Sequence, residues 1–548
     1  MKSVMQHNFS QIPNVEIPRS VFNRSSGLKT AFNSGLLIPI FIDEALPGDT
    51  FRMSPTYFAR LATPIVPIMD NVYLDTFWFS VPMRILWDNW KKFNGEQDNP
   101  GDTTDYHIPY IDTGNNYIAE ESLGDYMGLP INEAHLKFSA MFFRAYNQIY
   151  NEWFRPHDLC QRAYHNTGDG PDQLSNYGIK KRAKRHDYFT SALLWPQKGT
   201  AVELPLGTTA PVIGNGHAIN FYNGTDLMSF YNEANGDIVG QKLSGTSGHY
   251  IGDDRGAAVT PTVYEKLIGI SDGFANPENS GLVADLSAAT AATINSLRQA
   301  FQLQRMLERD ARGGTRYVEV IRSHFGVTMP HYLYRPELLA TSSKRMSINP
   351  VQQTSVTPPS ETENGTPLGT LAAYGTIADS NGGWHKSFFE HSIIIGIASV
   401  RADLTYSQGL PRMFSRETRY DFYWPSLAHL GEQAILNQEI FFAASAPANT
   451  EPFGYQERYA EYRYRNSQIT GKMRANLADP SASMSYWHLS QTFAQLPTLD
   501  QTFIEEDVPF NRVLAVTDEP QIIFDAYFDL ICARPMPTYS VPGLIDHL

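Results

Sequence analysis

Two stretches of this chain carry side chains dense enough to act chemically. The run KKRAKRH at residues 180–186 sets five cations, Lys180, Lys181, Arg182, Lys184 and Arg185, within six positions. Such a cluster can neutralise phosphates, pair with carboxylates of a neighbouring subunit or face solvent, and a chance match to a nuclear-import signal is a further reading. The second stretch, YQERYAEYRYR at residues 455–465, interleaves Tyr455, Tyr459, Tyr462 and Tyr464 with Arg458, Arg463 and Arg465. Tyrosine and arginine are the types enriched where proteins meet proteins, so a subunit interface leads. Stacking on unpaired bases and plain surface are the competing uses.

Catalytic patterns are missing. Gly214 and Gly216 lack the third glycine of a dinucleotide loop, and Gly471-Lys472 is followed by Met473 with no glycine five residues before it. No serine sits in a nucleophile elbow, and the fifteen histidines never fall at the i, i+4 spacing of a zinc helix. Acidic pairs at Asp253-Asp254 and in Glu505-Glu506-Asp507 would need to converge on one cleft to cut a glycoside; solvated loops are the simpler reading. Asp98, Asp102 and Asp105 could share a calcium ion, but their spacing is that of an ordinary turn. Cys160 and Cys532 are far apart and without metal-ligand spacing. No cofactor and no enzymatic activity are expected.

The elements that must position these groups are mostly strands. Residues 36–42 and 49–55 read as short strands, and residues 72–82 (VYLDTFWFSVP) as the best early one. Residues 393–402 (IIIGIASVRA) read as a buried strand, and residues 524–533 alternate Phe524, Ala526, Phe528, Leu530 and Cys532 against polar neighbours. Residues 420–424 alternate in the same way up to Pro425, with a short helix expected over 426–436. Helices are expected at 133–153, capped by Asn132 and stopped by Pro156, and at 288–312, where Arg305, Arg309 and Arg312 suit the C-terminal dipole. Residues 1–35 read as an extended arm and 354–383 as a loop.

Residues 205–286 hold thirteen of the 39 glycines and nine acidic residues against three basic ones, the signature of an insertion projecting into solvent. A three-part division follows: 1–204, the arm and the first part of a sandwich; 205–286, the surface protrusion; and 287–548, the second part with interface loops and an extended, proline-spaced tail. The formal net charge of −14 argues against a protein that coats nucleic acid over its whole surface. With aromatics at 12% and charged residues at only 18%, burial against other chains is expected. No signal-peptide core and no apolar run of membrane-spanning length is found.

Several blocks together resemble one family. They are LRQAFQLQRMLERDARGGTRY at 297–317, IRSHFGVT at 321–328, SVRADLTYSQGLPRMFSRETRYDFYWP at 399–425, KRAKRHDYFTSALLWPQKG at 181–199 and the ending at 524–548. The chain resembles the major capsid proteins of the small tailless single-stranded DNA phages, the Microviridae, in the gokushovirus branch. The resemblance implies a mainly β chain with an eight-stranded jelly roll, a β-sandwich with long loops carrying a few helices. It also implies a T=1 icosahedral shell, located in the virion and assembled in the bacterial cytoplasm, around circular single-stranded DNA. Implied partners are other copies of the chain, the genome, an internal scaffolding protein, a small basic DNA-binding protein and a host surface receptor. The insertion is implied to form threefold protrusions that meet the host, and the basic run would then act on DNA from the inner wall. Composition alone leaves a second reading open, a carbohydrate-binding or carbohydrate-cleaving β-sandwich, which would normally carry an export signal.

Overall fold

The computed structural model describes residues 18–200, 202, 212–214, 221–222, 227–228, 282–284, 294–328, 330, 334–359, 365–443 and 446–539. The chain divides into two compact units, one formed by Gly199–Leu307 and the other by the remainder. In the smaller unit the described strands are two short antiparallel pairs, Val212–Gly214 with Leu282–Ala284 and Phe221–Tyr222 with Leu227–Met228.

The larger unit is an antiparallel β-sandwich. One sheet runs Ser26–Phe32, Ile522–Arg534, Thr50–Leu61, Leu371–Asp379, Ser347–Gln352, with Ser20–Asn23 and Trp384–Ser387 added at its margins. The other runs Ile38–Ala45, Ser392–Ala402, Val72–Pro82, Glu337–Arg345. Along the chain the long strands switch between the sheets as a jelly roll requires. Two-residue periodicity explains the interior. Tyr57, Phe524 and Phe528 of the first sheet turn inward to meet Trp78 of the second, whose indole N–H donates to the Tyr57 hydroxyl at 3.1 Å. The Trp78 and Phe528 rings lie edge to face at 5.7 Å.

Ser392–Ala402 is buried at all eleven positions because its sheet is covered on both sides. Ile394, Ala398 and Val400 face the sandwich core, while Ile393, Ile395 and Ile397 pack with Ala140 and with Phe143, Tyr146 and Ile149 of the helix Met141–Ile149 that follows it. Arg144 of that helix is held by a buried fork to Asp172, at 2.7 and 2.8 Å, and by the carbonyls of Leu86 and Gly168. The strands expected at 72–82, 393–402 and 524–533 are present as Val72–Pro82, Ser392–Ala402 and Ile522–Arg534.

Other expectations are corrected. Residues 420–424 form no strand; 3-10 turns at Arg419–Asp421 and Pro425–Leu427 replace it, and the expected helix at 426–436 is instead the strand Glu432–Leu436. Local bonds decide the first case: the Asp421 carboxylate accepts from the Thr418 N–H and hydroxyl, and the Trp424 indole donates to the Arg419 carbonyl. The helix expected from Asn132 begins only at Met141. Asn132 has a left-handed backbone, φ 59°, and Lys137–Ser139 pairs with Tyr110–Asp112 before the helix starts. The supposed loop at 354–383 contains the strand Leu371–Asp379, and the supposed arm at 1–35 contains two strands paired to Ile522–Arg534. Residues 1–17 and 288–293 lie outside the described residues; the helix expected there is described over Ile294–Gly313.

Candidate functional site

The basic run is a seam of the fold. Leu37 N–H donates to the Lys180 carbonyl at 2.9 Å and Arg182 N–H to the Gly35 carbonyl at 2.7 Å. On the other side Glu506 N–H donates to the Arg182 carbonyl and Lys184 N–H to that of Ile504. Gly35, at φ 76°, lets the strands close, because a Cβ there would collide with the Glu506 carbonyl oxygen. Two of the five cations are consumed by this seam. Arg182 reaches Asp75 at 2.5 Å, and Lys184, 5% exposed, donates to Gln491 Oε1 at 2.7 Å and to the Phe503 carbonyl. Burial pulls the Lys184 ammonium down to about 8 and pushes the Glu506 carboxyl near it up to about 7. Lys180 is half-buried; Lys181, 4.0 Å from Glu505, and Arg185 are exposed. Side chains pointing to opposite edges of an extended segment explain the split.

The tyrosine and arginine block follows the hairpin of Glu432–Leu436 and Pro452–Glu457. Tyr459 is not available to a partner: it is 3% exposed, adopts φ 64°, and its hydroxyl donates to the Tyr420 carbonyl at 3.1 Å. Its ring gathers Tyr423 at 5.4 Å and Tyr462 at 6.3 Å. Tyr455 and Arg458 are half-buried, whereas Tyr462, Arg463, Tyr464 and Arg465 are exposed. Arg463 pairs with Glu457.

Residues 411–424 fold onto this block, which the sequence did not reveal. The Arg416 guanidinium lies over the Tyr462 ring at 4.3 Å and pairs with Glu461 at 3.5 Å. Arg412 pairs with Glu439 at 3.0 Å; burial raises that carboxyl above its ordinary value, with Arg412 opposing. Between the two segments runs a groove of about 740 Å³. Of its lining side chains Met413, Phe414, Tyr462 and Tyr464 are each at least half exposed, as are Tyr420, Phe422 and Tyr423 of the adjoining segment. Contiguous apolar surface of this kind marks a place that another molecule covers. Among the described residues no group of three metal-ligating side chains is found, and no helix is long and apolar enough to cross a membrane. Both cysteines are buried free thiols, and burial pushes Cys160 up to about 11.

A jelly-roll sandwich that exposes a field of rings and guanidinium groups fits a structural protein whose surface other chains cover. The comparisons give it a family. The chain belongs to the family described as capsid protein (F protein), whose model matches residues 10–544. It is similar to the capsid protein VP1 of Bdellovibrio phage phiMH2K, 46% identical over 98% of both chains. It is similar also to the VP1 of Chlamydia phage 1, 40% identical over 99% of this chain and 98% of the relative, and to that of Spiroplasma virus 4, 35% identical over 98% and 97%. It is therefore a capsid protein of the Microviridae, of gokushovirus type, located in the virion, and not an enzyme. The carbohydrate-binding alternative falls with this membership.

Proposed function

We propose that the chain closes into a T=1 icosahedral shell around a circular single-stranded DNA genome, with residues 205–286 forming threefold protrusions that meet the host. The observation that carries the reading is the exposed aromatic and arginine surface of residues 411–424 and 462–465, which a solitary chain would leave in water at a cost. Closed shells need several heterologous contacts per subunit, and this surface supplies one of them. An internal scaffolding protein and a small basic DNA-binding protein act as helpers, and a host surface receptor meets the protrusions. Lys181 and Arg185, the exposed members of the basic run, are assigned to phosphate on the inner wall.

Deleting residues 205–286 and bridging the gap with a short glycine-serine linker tests the protrusion. Particles should still form, lose their threefold density in reconstructions and fail to adsorb to host cells. Adsorption at the normal level would remove attachment from this segment.

A further inference from the structure

The groove between residues 411–424 and 459–474 has a charge of its own. Arg412, Arg416, Arg463, Arg465 and Arg474 line it against two carboxylates, Glu439 and Glu461. Arg465 has no carboxylate partner among the described residues, and the hydroxyl of Ser407, 7% exposed on the groove wall, has no hydrogen-bond partner among them. The groove is thus cationic, ringed by tyrosines and incompletely satisfied.

The complementary surface lies elsewhere on the same chain. Residues 112–134 carry Asp112, Glu120, Glu121, Asp125 and Glu133 and no lysine or arginine. Glu120, Glu121 and Glu133 are exposed, with no cation at ion-pair distance among the described residues, and Tyr117 beside them is 57% exposed. By contrast the acids of residues 96–98 are partly neutralised, Glu96 by Lys91 and Asp98 by Lys92. The acidic loop is preformed. Asn132 N–H donates to the Ile118 carbonyl at 3.1 Å and His135 N–H to that of Gly114 at 2.7 Å, and Asp125 accepts from Glu121 N–H at 2.9 Å. Preformed loops bind at a smaller entropy cost. Leu123 anchors the loop in the cluster around Trp87 and Phe143, whereas the groove wall at Phe189 belongs to the separate cluster around Phe453.

Taking this surface as a subunit interface, we propose that the acidic loop at residues 112–134 of one copy docks into the arginine and tyrosine groove of the next. Donor and acceptor occupy different places on the chain, so a contact made in one direction only is heterologous and propagates from copy to copy until a ring closes. A single-stranded nucleic acid is the competing occupant, since arginines and rings would serve phosphates and bases as well, and a charge swap separates the two.

A charge swap tests it, in full-length chains expressed with the scaffolding protein. Glu120→Arg with Glu121→Arg, and separately Arg463→Glu with Arg465→Glu, should each lower the yield of sedimenting particles about tenfold or more. The unassembled subunits should keep their thermal midpoint. All four substitutions together should restore yield to within about threefold of the parent. Loop variants that assemble normally while groove variants do not would overturn the pairing and leave the groove as an interface with some other element. Normal assembly of both would overturn the pairing and the interface reading together. A fourfold variant no better than the worse pair also overturns it. So do groove variants that form particles with less nuclease-resistant DNA, which would make nucleic acid the occupant.

Discussion

Arg182 Nη1 lies 2.5 Å from Asp75 Oδ2, and Arg401 Nε approaches the same oxygen at 2.7 Å, so one buried carboxylate holds two guanidinium groups from distant parts of the chain. Ser343 donates to its other oxygen at 2.5 Å. Burial disfavours the Asp75 charge, but Arg182, Ser343 and Arg401 outweigh it and hold the carboxyl below its ordinary range. Asp75→Ala strands both cations and should cost the subunit about 3–5 kcal/mol, read as a lower urea midpoint at unchanged slope.

Within the basic run the substitutions should separate by burial. Lys181→Glu with Arg185→Glu alters exposed side chains, so shells should form with less nuclease-protected DNA per particle. Lys184→Glu introduces an anion where Gln491 Oε1 and the Phe503 carbonyl now accept a proton donor, and should yield insoluble chain. Unchanged DNA content in intact Lys181/Arg185 shells would remove the phosphate role.

Phe414→Ser with Tyr464→Ser removes two exposed rings, 67% and 55% accessible. Subunit stability should move by less than about 0.5 kcal/mol, as for most surface changes. Loss of such anchors from an interface costs about 2 kcal/mol or more, so assembly should need a markedly higher protein concentration. The comparison is the critical concentration for particle formation against the thermal midpoint of the free subunit.

Two buried groups should oppose each other as pH rises from about 4.5 to 7: Glu506 contributes a loss of stability, and His157, which burial pulls down to about 4, contributes a gain. The Glu506 carboxyl is raised to about 7 by burial, so the folded chain holds a proton there that the unfolded chain has already released. Its contribution is complete below the unfolded value and is lost as pH passes the folded one. Glu506→Gln should remove its loss and tilt the urea midpoint upward with pH across that window relative to the parent; an identical slope would assign no dependence to Glu506.

The long strands were legible because their chemistry is local. Val72–Pro82 and Ser392–Ala402 are aliphatic and aromatic runs, and Ile522–Arg534 buries every second residue from Ile522 to Cys532. Leu371–Asp379 was not, since its inward side chains include only Ala373, Gly375, Ile377 and Asp379, and a methyl group at Gly375 would crowd Met346. The rings at 420–424 alternate as a strand does, yet they stand outward, and no partner strand comes to them. In the site, sequence flagged the residue types of both stretches. It did not show that Arg182 meets a carboxylate 107 positions away, or that Tyr459 turns inward while Tyr464 does not. Those depend on which segments the fold lays side by side.

The most direct test of the shell is its mass. Charge-detection mass spectrometry of empty particles, made with the proposed scaffolding protein and then cleared of it, should give one narrow species of about sixty chains, the closed T=1 count. A ladder of small oligomers, open sheets or a discrete particle of a different copy number would contradict the account.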